Sequence, residues 1–187
     1  MIYTTKELLA KGETEYSIRI KVAKNALYLI GRGLYSDVPN PFIDEVYISK
    51  KYPHAIITDL SAFYIYDLTD HIPDNFHLST LQHSFPIRRK DVIQSYQDPS
   101  FFSIGKKVIE YEGGKINIYD LERMLIELIR LKEKYPPELY YEVINSYRNI
   151  KEKLDFYKIN EYVKHFKNGL SLLQKIKEVI WFWTLEN

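Results

Sequence analysis

The stretch Thr14-Glu15-Tyr16-Ser17-Ile18-Arg19-Ile20-Lys21-Val22-Ala23-Lys24-Asn25, followed at once by Ala26-Leu27-Tyr28-Leu29-Ile30-Gly31-Arg32-Gly33-Leu34-Tyr35-Ser36, changes its periodicity once. A helix from Glu15 to Asn25 puts Ile18 and Val22 on one side, four residues apart, and Ser17, Lys21 and Lys24 on another. From Ala26 the chain becomes β-prone on both sides of Gly31-Arg32-Gly33, a short loop that suits a tight hairpin. One helical face therefore packs, the other presents cations, and a hairpin follows.

Working toward the N-terminus, Thr4 or Thr5 caps a short helix through Lys11, with Leu8 and Leu9 turned inward and Gly12 ending it. Helix, tight turn, helix, hairpin is the layout of a winged helix-turn-helix, whose second helix enters the major groove while the wing follows the backbone or the minor groove. In that reading Lys21 and Lys24 neutralise phosphates, Ser17 donates to a phosphate or a base edge, and Arg19 reaches a neighbouring group. Arg32 sits between glycines with no local apolar surface to lie on, and a guanidinium so placed suits a narrow, electronegative minor groove. The plainer reading of the same residues is a solvated lysine face and a hairpin that happens to carry a charged tip. Met1 stands directly before the helix pair, so no further helix leads it. A module this small is expected to lean on the main domain or on a second copy to bury its core.

Working toward the C-terminus, Pro39-Asn40-Pro41 breaks both helix and ladder hydrogen bonding and marks a boundary. Residues 1–38 are read as the winged helix-turn-helix and residues 39–187 as a second domain, mixed α/β over 39–119 and helical over 120–187. Helices are expected at Ile43–Lys51 and Asp59–Tyr66, with strands at Ala55–Ile57, Phe76–Leu81, Val92–Tyr96, Lys106–Tyr111 and Lys115–Tyr119. The last two form a hairpin at Gly113-Gly114. Leu121, Leu125, Leu128 and Ile129 then make one helical stripe to about Lys134, and further helices are expected over Pro136–Arg148, Ile150–Phe166 and from Leu170. The fold class is α+β: a short winged helix-turn-helix, then a larger mixed domain with a small antiparallel sheet and a helical C-terminal half.

Composition narrows the function. The 187 residues carry 26 Lys+Arg against 25 Asp+Glu, a net charge of +1, which excludes a protein that coats nucleic acid or an anionic membrane with its whole surface. By segment the balance is uneven. Residues 1–38 hold six basic against four acidic side chains, residues 39–114 seven against ten, and residues 115–187 thirteen against eleven. Cysteine is absent, which excludes disulfides, thiolate metal sites and a cysteine nucleophile. With no leader-like start and no long apolar run, the expectation is a soluble cytoplasmic protein with no membrane association.

Several constellations suggest chemistry. Asp67, Asp70, His71, Asp74 and His77 crowd into eleven residues, but they lie in a turn region around Pro73 with no helical ligand spacing, so no metal is expected there. His54, His83 and His165 stand apart. Asp44 and Glu45 are neighbours that would point to opposite faces of a strand, and Gly114 occupies the lysine place that a nuclease-like Glu110 and Glu112 pair would require. Asp120, Glu122, Arg123 and Glu127 open a helix, where acids favour the N-terminal dipole and Arg123 pairs with Glu127 four residues on. No catalytic residue and no cofactor is assigned. Trp181, Phe182 and Trp183 are adjacent and cannot all face one core from a helix, so at least one ring is expected to meet a partner.

An ordered set of strings carries a resemblance. It comprises Leu27-Tyr28-Leu29-Ile30-Gly31-Arg32-Gly33-Leu34-Tyr35-Ser36, Lys51-Tyr52-Pro53-His54-Ala55-Ile56-Ile57-Thr58 with Ser61-Ala62, Asp67-Leu68-Thr69-Asp70-His71-Ile72-Pro73, and Ile118-Tyr119-Asp120-Leu121-Glu122-Arg123-Met124-Leu125. From about residue 2 to residue 166 the chain resembles the AbiEi family, antitoxins of abortive-infection toxin–antitoxin pairs that act in phage defence. The resemblance implies a winged-helix domain that binds inverted repeats in its own promoter as a transcriptional repressor of a two-gene operon, joined to an antitoxin domain. It also implies a nucleotidyltransferase toxin as functional partner, opposed in the type IV manner without an obligatory complex. DNA contacts carried over fall on Ser17, Arg19, Lys21, Lys24 and Arg32; no residue is carried over for antitoxicity. The expectation is a non-enzymatic antitoxin and autorepressor that binds double-stranded DNA as a homodimer or cooperative assembly. Two alternatives stay open: a protein-interaction module without DNA binding, and a metal-dependent nuclease-like enzyme using Asp120, Glu122, Glu110 and Glu112.

Overall fold

The computed structural model describes residues 1–41 and 44–182, which form two compact units. The first comprises residues 1–54 with residues 108–117, and it contains the whole of residues 1–38; the second comprises residues 55–107 and 118–187.

The first unit begins with β1 (Ile2–Thr4), which the sequence reading did not anticipate because three residues are too few to show an alternation. Helices α1 (Thr5–Ala10) and α2 (Glu15–Ala23) follow, and both open on a capping box. In α1 the Thr4 hydroxyl accepts from the Glu7 N–H at 3.1 Å while the Glu7 carboxylate accepts from the Thr4 N–H at 2.7 Å. Thr14 and Ser17 make the same exchange for α2 at 3.0 and 2.8 Å. The hairpin β2 (Tyr28–Gly31) and β3 (Leu34–Ser36) turns at Arg32-Gly33, where Gly33 takes a φ of +69° that a side chain would resist. The three strands form an antiparallel sheet in the order β1-β3-β2. This is the small antiparallel sheet, found in the first unit.

Leu8, Ile18 and Leu27 form the buried centre of these elements, with Tyr3, Val22 and Tyr35 packed around them. The Ile18 and Val22 face thus packs as its period dictates. Helix α3 (Asp44–Lys51) supplies cover within the unit: it packs on β1, Lys50 pairs with Glu7, and the Tyr47 ring closes over Gly31. Residue 43 of the expected helix lies outside the described residues.

The second unit holds β4 (Ile56–Ile57), α4 (Asp59–Ile65), β5 (Phe76–Leu81), β6 (Val92–Gln97), α5 (Pro99–Phe102) and the feet of the hairpin β7 (Lys106–Tyr111) and β8 (Gly114–Tyr119). The sheet order is β6-β5-β4-β8-β7. It is mixed rather than antiparallel: β4 pairs antiparallel to β5 but parallel to β8, and β5 runs parallel to β6. Hairpin signals reveal antiparallel neighbours, whereas the parallel β5–β6 pair is joined by a ten-residue crossover without a helix, which leaves no local mark. The turn of β7–β8 falls on Glu112-Gly113, both at positive φ, one residue earlier than expected.

The helical part comprises α6 (Leu121–Arg130), α7 (Pro137–Asn149), α8 (Phe156–Val163) and α9 (Gly169–Lys177). Two expectations are corrected. Helix α6 stops at Arg130, with a separate 3-10 turn at Lys132–Lys134. Residues 150–166 are not one helix, because a 3-10 turn at Lys151–Lys153 is followed by a fresh start at Asp155, whose carboxylate accepts from the Lys158 N–H at 3.1 Å. After α9 the chain continues as a π-turn, and Trp181 stacks edge-on against Phe156 at 5.4 Å. Trp183 lies outside the described residues. Among the described residues, no helix is long and apolar enough to cross a membrane.

Nearly all of α6 is buried, charged residues included, and Arg123 has no solvent exposure at all. Its Nε and Nη2 donate to Glu127 Oε1 at 3.1 and 2.9 Å, and Nη1 donates to the carbonyls of Phe101 and Ile104 at 2.6 and 3.0 Å. The Glu127 Oε2 accepts from Arg130. Removing one member of a buried, hydrogen-bonded ion pair leaves the other uncompensated, at a cost of about 3–5 kcal/mol. Arg123→Ala is therefore expected to lower the unfolding free energy in urea by about that amount, more than Arg130→Ala, whose side chain reaches solvent. Equal losses for the two variants would contradict this account.

Candidate nucleic-acid interface

The five residues selected by charge and resemblance do not have equal freedom. Ser17 is the third residue of α2 and belongs to its capping box; its hydroxyl also donates to the Glu13 carboxylate at 2.7 Å. Lys21 pairs with the other oxygen of the same carboxylate. Glu13 thus holds Ser17 and Lys21, and those two hydrogen bonds, Lys21 first, keep its carboxyl below the ordinary range. The signal was present in the sequence as the spacing of residues 13, 17 and 21, four apart along one helical face.

Arg19, Lys24 and Arg32 are exposed. Arg19 makes only a loose contact with Glu15, at 4.0 Å between two exposed side chains, of the kind that contributes little. Arg32 stands at the tip of the β2–β3 hairpin. Two further side chains escaped the reading of charge. Tyr16 is 72% exposed and Ile20 is 37% exposed; they lie four residues apart on α2, beside Arg19 and away from Ile18. Leu29, in the first strand of the hairpin, is also exposed. An outward apolar pair that no core residue explains is what a helix wheel offers to a base edge or a thymine methyl group.

The carboxylates of the enzymatic alternative are engaged in the fold. Asp120 caps α6 through the Arg123 N–H at 2.9 Å and accepts from the Tyr162 hydroxyl at 2.9 Å, and Glu122 accepts from the Asp155 N–H at 2.9 Å. Glu110 is exposed and faces Lys115 at 3.8 Å, and Glu112 occupies the hairpin turn. His77 and Asp59 approach to 3.7 Å, and the Asp70 N–H donates to Glu142 at 2.9 Å. Among the described residues, no three His, Asp or Glu side chains gather as a metal site.

The second unit also contains a cavity of about 620 Å³ between β6 and α6, with Asp59, Glu127, Arg130, Lys134 and Tyr135 in its walls. The acids in it are already bonded, Glu127 to two arginines and Asp59 to His77 and Tyr135. Asp59 keeps a carboxyl pKa below the ordinary value although burial pushes it up, because the His77 and Tyr135 hydrogen bonds outweigh the burial.

No protein-family model matches the chain, and a search of curated proteins finds no significant relative.

The local geometry gives a test that needs no knowledge of the natural ligand. Glu13→Gln removes the negative partner of Lys21, and the variant is expected to elute from a heparin column at higher salt than wild type. Arg32→Ala is expected to elute at lower salt. Coincident elution of all three proteins would show that this face does not meet polyanions.

Proposed function

We propose that the chain is a DNA-binding antitoxin and transcriptional autorepressor of a toxin–antitoxin operon, with no catalytic step of its own. The observation that carries the DNA-binding part is the set of exposed cations Arg19, Lys24 and Arg32, on a capped helix and an adjacent hairpin tip of one small unit. The element order β1-α1-α2-β2-β3 is compatible with a winged helix in which α2 reads the major groove and the β2–β3 hairpin is the wing. Tyr16 and Ile20 supply apolar contact beside Arg19, Lys24 meets a phosphate, and Arg32 enters a narrow minor groove. Lys21 contributes only when a phosphate outcompetes Glu13. The antitoxin part, with a nucleotidyltransferase toxin as the opposed partner, rests on the ordered set of strings shared with the AbiEi family. Double-stranded DNA with inverted repeats in its own promoter is then the ligand, and the cytoplasm the place of action.

So few cations imply few phosphate contacts per chain, so binding is salt-sensitive and depends on two copies meeting one operator. The test is fluorescence anisotropy on the chain's own upstream fragment and on a scrambled fragment, across a salt series. Wild type should prefer its own repeats by on the order of a thousandfold. Lys24→Ala/Arg32→Ala should weaken both fragments and flatten the salt slope by about two, one for each lost phosphate contact. No preference by wild type would refute the repressor reading, whereas equal binding by the double variant would move the contact to another surface. Relief of growth arrest on co-expression with a neighbouring nucleotidyltransferase gene checks the antitoxin half separately.

A further inference from the structure

The five-stranded sheet ends on β6, and that edge is bare. The Phe76 N–H donates to the Asp91 carbonyl and the Gln82 N–H to the Gln97 carbonyl, both at 2.8 Å, so the odd-numbered peptide groups of β6 turn toward β5. Alternation then directs the N–H and C=O of Gln94 and Tyr96 to the open side. The cavity beside α6 is bordered by every residue from Ile93 to Gln97. Side chains of one strand alternate between faces, so five consecutive residues share a cavity only where it runs along the strand's edge.

Edge strands are ordinarily guarded by charge, proline or a bulge. The opposite edge, β7, carries Lys106, Lys107 and Glu110. In contrast, β6 reads Val-Ile-Gln-Ser-Tyr-Gln with no charge and no proline, keeps unbroken register with β5, and leaves Ile93 49% and Tyr96 48% exposed. The crossover into β6 adds a further exposed ring. Gln94 holds it by accepting from the Ile87 N–H at 2.7 Å and donating to the Phe85 carbonyl at 3.3 Å, which leaves Phe85 93% exposed beside the middle of the strand.

We propose that β6 is the interface with a second copy of this chain, pairing antiparallel with its own counterpart about a two-fold axis at Gln94. A two-fold that continues one sheet keeps each face on its own side, so even residues oppose even residues and odd oppose odd. With Gln94 opposite itself, Val92 meets Tyr96 and Ile93 meets Ser95. The next positions outward set Lys90 opposite Asp98 at both ends, two exposed side chains of opposite charge. Moving the axis to Ser95 would instead set Lys90 opposite Ser100 and Asp91 opposite Pro99, so charge complementarity selects the Gln94 axis. No like charges meet along the strand, and the two Phe85 rings face each other across the axis.

The chain has no cysteine, which makes a register test direct. Ile93 and Ser95 of the second copy would form a non-hydrogen-bonded pair with Cα atoms about 4.5 Å apart, within disulfide reach. Full-length Ile93→Cys and Ser95→Cys proteins mixed under mild oxidation should form the mixed disulfide, while each alone gives less than about a tenth of that yield. By light scattering, wild type should rise with concentration toward twice the 22.3 kDa chain mass. Ile93→Lys should stay at the single-chain mass with unchanged thermal unfolding. Wild type that stays single from micromolar to millimolar concentration overturns the proposal, and so does Ser95→Cys cross-linking alone as well as the mixture does.

Discussion

A guanidinium without solvent exposure is costly unless every donor is matched, and the second unit is arranged around that requirement at Arg123. Glu127, four residues on, takes two donors, and the carbonyls of Phe101 and Ile104 take the others. The flat faces of the group are covered by aromatic rings, Tyr119 at 4.6 Å, Phe166 at 4.9 Å and Phe101 at 5.4 Å. These contacts draw on α5, the end of β8, and the link between α8 and α9. One side chain therefore registers the sheet against three helical segments. Gly105 follows from the same demand: a Cβ there would lie 2.5 Å from the Arg123 Cβ, and its φ is +74°.

The abundance of tyrosine has its explanation in the same region. A buried tyrosine contributes an apolar ring and one hydroxyl, and here the hydroxyls tie helices to backbone that would otherwise lack partners. Tyr147 donates to the Leu121 carbonyl at 3.0 Å, Tyr66 to the Tyr119 carbonyl at 2.8 Å, and Tyr119 to the Phe102 carbonyl at 2.7 Å. Burial raises the hydroxyl pKa of each of the three, so they stay protonated donors at any pH the fold survives. Among the described residues, no buried side-chain nitrogen or oxygen is left without a hydrogen bond.

What could be read from the sequence divides along the range of the interactions involved. Capping threonines, the Ile18 and Val22 face, the glycines of the first hairpin and the prolines opening α7 act over a few residues, and the corresponding elements appear where local chemistry sets them. The break at Asp155 was missed because the cap competes with an apolar pattern that runs on through Leu154 and Ile159, both buried. The parallel pairing of β5 with β6, and of β4 with β8, depends on contacts distant in sequence, which no short pattern records. At the candidate interface, charge alone selected five residues. Geometry separates them, because Glu13 is close enough to hold Ser17 and Lys21 while Arg19, Lys24 and Arg32 stay exposed.

That separation bears on how a chain of nearly zero net charge can present a cationic face. What a ligand meets is the set of charges that remain unneutralised on one surface, not the total. In the second unit Arg123 and Arg130 converge on Glu127, and Lys158 lies near both Asp120 and Glu122, so many of its ions are directed at one another. In the first unit, pairing takes Lys21 and Lys50, and Arg19 is only loosely held. The cations that remain outward are those of the α2 face and the hairpin tip. A contact built on them is narrow, which makes affinity depend on apolar fit at Tyr16 and Ile20 and on the joining of two copies more than on electrostatic attraction at a distance. Strong dependence on assembly and on shape, with a modest salt slope per chain, is the behaviour that this distribution of charge dictates.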